Sequence, residues 1–263
     1  CAAVDALTDI DFRDITIVIT NPDLTNASYD SVSFSVAAQE IIPTSVFFKD
    51  DGLSMFVGGN NTDSVFQYTL TTAWDVSTAS YASKSFSIAS QDTAPNGIAF
   101  SNDGLSFYIV GAITDSVYQY TLSTAWDIST ASYASKSFSV TSQDASPTGM
   151  AFSSDGTKFY ISGFVSDTLY QYNLATAWDV STASYSSNSF NIASQDGSPR
   201  GLYVAPTGNK LWFMGGDTDT VYELDLSTAF DLSTAAYNSV SFSTASQDSG
   251  PIDMFFKPNG SKM

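Results

Sequence analysis

Five acidic residues, Glu40, Asp92, Asp144, Asp196 and Asp248, recur at an interval of 52 residues, each directly after a glutamine (Gln39, Gln91, Gln143, Gln195, Gln247). An acid that returns once per repeated unit falls on one face of a ring, and clustered oxygen ligands suit a hard cation such as Ca2+. The competing use of the same groups is structural, because a carboxylate in a turn accepts backbone N–H bonds. Repulsion does not decide between the two. Carboxylates roughly 10 Å apart in water oppose one another by only about 0.4 kcal/mol per pair.

Four residues after each glutamine stands a proline (Pro43, Pro95, Pro147, Pro199, Pro251), and behind it the units stop agreeing. The next residue is Thr44, Asn96, Thr148, Arg200 or Ile252, and the one after is Ser45, Gly97, Gly149, Gly201 or Asp253. Where units are near copies, ligand specificity is written at the positions that differ. Thr44, Asn96, Thr148, Arg200 and Asp253 are therefore the candidate ligand-binding residues. Arg200 offers a planar donor for an anionic group, or an ion pair with a nearby acid. The chain has no His and one Cys. That removes the usual near-neutral proton carrier, any internal disulfide and any thiolate zinc cluster. No catalytic residue is assigned, and no cofactor is expected beyond Ca2+ at the acidic positions.

Two further acids keep the interval. Asp63, Asp115, Asp167 and Asp219 precede a Ser or Thr and read as turn or strand-start caps. Asp75, Asp127, Asp179 and Asp231 follow Trp74, Trp126, Trp178 and Phe230 and read as Asx-turns onto the Ser and Thr beyond them. The aromatic residue reads as a loop anchor or as packing between units, with stacking on a sugar as the alternative.

The elements that carry these groups are legible in residues 143–194. Gly149–Phe152 is a short apolar run ending at Asp155-Gly156, a hairpin signal. Lys158–Ile161 follows, then the alternating stretch 167–174, a longer loop around Trp178, and the alternating stretch 187–192. Four short strands per unit and no helical periodicity match one blade of a β-propeller. The whole repeats are 39–90, 91–142, 143–194 and 195–246. The remainder, 247–263 plus 1–38, is about one more unit. Its tail (250–260) resembles a first strand and turn, and its head resembles later strands through Ile15–Ile19 and Ser31–Val36. The expectation is an all-β, five-bladed propeller of four-stranded antiparallel blades, one domain over 1–263, closed by a composite blade from the N- and C-termini.

The run Ser-Gln-Asp-x-x-Pro-x-Gly, Phe-Ser-x-Asp-Gly, Asp-Ser-Val-Tyr-Gln-Tyr-x-Leu and Thr-Ala-Trp-Asp-Val-Ser-Thr-Ala-Ser-Tyr resembles tandem propeller repeats of marine bacterial and phage surface proteins. It is distantly similar to YVTN-type and NHL-type propellers. The resemblance implies an extracellular, cell-surface or virion component and brings no catalytic residues.

Nine Lys+Arg against 27 Asp+Glu give a net charge of -18, a surface that repels nucleic acid. No apolar run has the length of a membrane span. Cys1 is either a lipid-bearing N-terminus or a fragment boundary. The main functional expectation is a non-enzymatic binding or structural module for adhesion or recognition of a surface glycan or protein. The alternatives are a structural subunit of a virion or filament that self-associates, and a propeller hydrolase or lactonase. The last needs a diverged constellation, which only Arg200, Asp217 and Asp253 offer.

Overall fold

The computed structural model describes residues 24–263. Sixteen strands form four separate sheets, each four-stranded, antiparallel and meandering in chain order. The first blade holds β1 (Pro43–Phe48), β2 (Ser54–Gly59), β3 (Ser64–Leu70) and β4 (Ala79–Ser87). The second holds β5 (Pro95–Phe100), β6 (Ser106–Gly111), β7 (Ser116–Leu122) and β8 (Ala131–Ser139). The third holds β9 (Pro147–Phe152), β10 (Lys158–Gly163), β11 (Thr168–Leu174) and β12 (Ala183–Asn191), and the fourth β13 (Pro199–Val204), β14 (Lys210–Gly215), β15 (Thr220–Leu226) and β16 (Ala235–Ser243).

Pro43, Pro95, Pro147 and Pro199 each open an innermost strand, where the missing N–H costs no ladder bond. The Asp-Gly turn lets the chain reverse between the first two strands. In the second blade this places Gly104 at φ 68, with its N–H on Ser101 O. The fourth strand begins earlier than its alternation suggests. β12 starts at Ala183 instead of 187, because the ladder to β11 continues past an irregularity between Tyr170 and Tyr172 and recovers Tyr185 opposite Tyr172.

Three of the apolar cores lie between blades. One apolar cluster joins Phe56, Val65 and Ile88 of the first blade to Phe100, Phe107 and Tyr120 of the second. The equivalent clusters join second to third and third to fourth. Burial is thus shared between neighbours, as in any repeat array. The inner strands β1, β5, β9 and β13 stand side by side. The segment 250–256 completes the circle: Gly201 donates its N–H to Ile252 O, and Asp253 accepts from Val46 N–H.

The blade count differs from the expectation. Among the described residues there are four four-stranded blades, where five were expected. Between the fourth and the first, residues 250–256 and 31–36 carry no ladder. Side chains hold that sector instead. Met254, Phe256 and Leu24 pack on Trp212 and Val221, while Phe255, Phe34 and Val36 pack on the core of the first blade. The head strand Ile15–Ile19, proposed for the closing blade, lies outside the described residues, as does Cys1.

Candidate functional site

The recurring acids are built into turns. Asp92 accepts N–H bonds from Ala94 at 2.7 Å and Thr114 at 2.9 Å, plus the Thr114 hydroxyl at 2.7 Å. Glu40, Asp144 and Asp196 do the same for the 61–62, 165–166 and 217–218 connectors. Each bolts the turn ahead of the first strand to the connector between the second and third. All four are buried, whereas Asp248 is exposed and accepts from Gly250 N–H. Among the described residues, no three acidic side chains converge in a way that could hold a metal ion.

The residues after the prolines form a second ring. Thr44 donates its hydroxyl to Pro95 O, Asn96 its amide to Pro147 O at 3.1 Å, Thr148 its hydroxyl to Pro199 O at 2.6 Å, and Arg200 its guanidinium to Pro251 O at 3.1 Å. Each inner strand is therefore stapled to the next at the same level. At the seam the series breaks, because Ile252 has no side-chain donor. There the neighbouring Asp253 accepts from Val46 N–H and from Met254 N–H, both at 2.9 Å. So the structure brings Thr44, Asn96, Thr148 and Arg200 together around one mouth of the axis, with Asp253 one position further in.

Asp253 faces an axial cavity of about 120 Å3. From it the walls run along the inner strands through Ile98, Met150 and Leu202 to Phe100, Phe152 and Trp178, and end at the turns bearing Asn102 and Ser154. Burial pushes the Asp253 carboxyl up to about 7, against the pull of its two backbone N–H donors. Gly201 makes room for it: a Cβ there would lie 1.9 Å from Asp253 Oδ1. Tyr203 also lines the cavity, and burial keeps its phenol protonated well above the neutral range.

The Trp-Asp loops anchor the blades. Asp127 Oδ1 accepts from Ser129 N–H, capping a single 3-10 turn at Ile128–Thr130. Trp126, at φ 61, stacks on Phe100 at 5.4 Å. The residue that holds this loop went unnoticed in the repeat. Gln67 of the preceding blade accepts from Ile128 N–H and donates to Trp126 O. Gln119 and Gln171 receive Val180 and Leu232 in the same way. The signal was present as a glutamine at a buried strand position, a residue that must find partners there.

The propeller fold agrees with what comparison shows. The family model described as "Lactonase, 7-bladed beta-propeller" matches residues 43–245. The chain belongs to this propeller lactonase family. Among solved structures, a candidate 6-phosphogluconolactonase from Bacteroides uniformis superposes with a TM-score of 0.52 at 14% identity, covering 81% of this chain and 59% of that one. Its counterpart from Bacteroides fragilis gives 0.53 at 15%, covering 76% and 55%. A protein of unknown function from Desulfotomaculum acetoxidans gives 0.51 at 12%, covering 83% and 73%. No curated protein matches. This lactonase-family chain therefore spans little more than half the length of the two Bacteroides structures, and shows four blades where the family description has seven.

Family membership corrects the functional expectation. The main reading, a non-enzymatic adhesion or structural module, is overturned by the lactonase match, and so is the expectation of no enzyme activity. The alternative of a propeller lactonase fits instead. The match also supports the propeller without extending to the marine and phage surface repeats. Repetition misled here: near-identical units favour architecture over catalysis, yet one diverged position at the seam is enough to place a carboxyl in the hub.

Proposed function

We propose that this chain hydrolyses a lactone in its axial cavity, with Asp253 as general base. The observation that carries the reaction is the family match over residues 43–245; the cavity and its single carboxyl supply the place. The ionised Asp253 takes a proton from a water molecule as the water oxygen attacks the lactone carbonyl carbon. The tetrahedral adduct collapses with cleavage of the ring C–O bond, and the proton held by Asp253 passes to the departing ring oxygen. One water is consumed and one hydroxy acid forms. A carboxyl lifted toward neutrality suits both halves of this exchange. Tyr203 is proposed as the donor to the carbonyl oxygen, since its phenol stays protonated. Thr44, Asn96, Thr148 and Arg200 are proposed to fix the inner strands beside Asp253 through their proline staples.

The circle of inner strands is proposed to work as a five-sector ring. Support comes from Leu24, which packs on Trp212 and Val221 as Leu232 packs on Tyr160 and Leu169 one blade earlier. The test of the reaction is hydrolysis of a panel of γ- and δ-lactones followed by proton release. Turnover by the parent chain with loss in Asp253→Asn supports the proposal. A parent chain that opens no lactone refutes it.

A further inference from the structure

We infer that the lactone this chain accepts is compact and apolar: a single five- or six-membered ring with at most a methyl substituent, carrying neither a phosphate nor the hydroxyl array of a sugar acid. The inference rests on the lactonase reading and names its substrate class.

Size is the first ground. The cavity measures about 120 Å3. An engineered apolar cavity of about 150 Å3 holds a benzene ring, so a five- or six-membered lactone fills this space. A phosphorylated sugar-acid lactone is far larger.

The walls are the second ground. Between Asp253 and the far turns they are built from Ile98, Met150, Leu202, Phe100, Phe152 and Trp178. A substrate hydroxyl placed against them would lose water without gaining a partner, which costs roughly 1–3 kcal/mol per group. The donors at the far turns are already committed. The Asn102 amide donates to Ser154 O at 2.7 Å, and the Ser154 hydroxyl to Pro206 O at 3.0 Å. Thr44, Asn96 and Thr148 lie outside the lining, and their donors go to proline carbonyls.

Charge is the third. No lysine or arginine lines the cavity. Arg200, the one arginine among the described residues, directs its guanidinium to the carbonyls of Pro251 and Gly250. The net charge of -18 sets a potential that opposes an anionic substrate everywhere on the approach. The candidate activity of the Bacteroides structures, a phosphorylated substrate, finds no cationic receptor in this cavity.

The experiment compares kcat/KM of the parent chain for unsubstituted and methyl-substituted γ- and δ-lactones with that for gluconolactone and 6-phosphogluconolactone. Thermal shifts are measured in parallel with the non-hydrolysable ketone 2-methylcyclopentanone and with 6-phosphogluconate. The expected result is at least tenfold higher kcat/KM for the apolar lactones, and stabilisation by the cyclopentanone alone. Preference for either sugar lactone overturns the inference while leaving the lactonase reading intact. Stabilisation by the cyclopentanone without turnover of any lactone overturns the lactonase reading and keeps the ligand class. Neither turnover nor binding overturns both.

Discussion

Gln67 in the first blade receives the backbone N–H of Ile128 in the second at 3.1 Å and returns a bond to the carbonyl of Trp126 at 2.9 Å. One buried side chain thus satisfies two main-chain groups of the neighbouring loop, at the point where that loop would otherwise leave them dry. Replacing Gln67 with Met keeps the volume and strands both groups. The expected loss is about 2–4 kcal/mol, since each buried unpaired group costs about 1–3 kcal/mol. Urea unfolding, with the m-value unchanged, checks it.

The ion pairs beside these clamps are expected to matter much less. Lys84 meets Asp127 and Lys136 meets Asp179, each at 2.7 Å, but the lysine side chains are 36% and 38% exposed. The third interface uses Asn188 on Asp231 at 2.9 Å and needs no charge. Lys136→Asn is therefore predicted to change stability by less than about 0.5 kcal/mol, an effect that added salt further reduces.

The acidic series contains its own control. Asp92→Ala strips partners from Ala94 N–H, Thr114 N–H and the Thr114 hydroxyl, and is expected to cost about 2–4 kcal/mol. Asp248→Ala removes one exposed bond to Gly250 N–H and should cost less than about 1 kcal/mol. If the two variants melted alike, the turn-bolting role of Asp92 would be wrong.

Gly104 sits at φ 68 beneath the indole of Trp126, and a Cβ there would come within 2.3 Å of the ring. Gly104→Ala must bear the left-handed backbone and also push the indole away. A loss of at least about 2 kcal/mol is expected, read from thermal melts against Gly250→Ala.

How much of this was readable in advance follows from what repetition reveals. The interval of 52 residues and the alternating stretches exposed strands, turns and an architecture of blades, because period and turn chemistry are local properties. Gln67 and Ile128 lie 61 residues apart, so their bond exists only once blades stand side by side. The same holds for Thr148 on Pro199. Asp253 stood out as a departure from Ser45 and Gly97, but its chemistry depends on the hub that encloses it. The tail 250–256 resembles a first strand and takes its place beside β13 and β1, but among the described residues it carries no ladder, and the head strand expected beside it lies outside them. Function was least legible, since a single diverged carboxyl among near-copies carries little weight until the axis is assembled.

Asp253 also makes stability depend on pH. Its carboxyl titrates at about 7 in the folded chain, against 3.8 ordinarily. Between those values the folded state holds a proton that the unfolded chain has released, so stability declines as pH rises through that window and stays low above it, by at most about 4 kcal/mol. Asp253→Asn abolishes the decline, and gives up one of the two N–H bonds. It is expected to be about 1 kcal/mol less stable than the parent at pH 4 and about 2–3 kcal/mol more stable at pH 8. Chemical denaturation at the two pH values checks the crossover.

The most direct test is the pH dependence of lactone hydrolysis by the parent chain and by Asp253→Asn, with a methyl-substituted γ-lactone over pH 5 to 9. The parent is expected to gain kcat/KM with a midpoint near 7, and the variant, better folded at pH 8, to fall at least about a hundredfold without an inflection. Equal rates for the two proteins across that range would contradict a catalytic carboxyl in the hub.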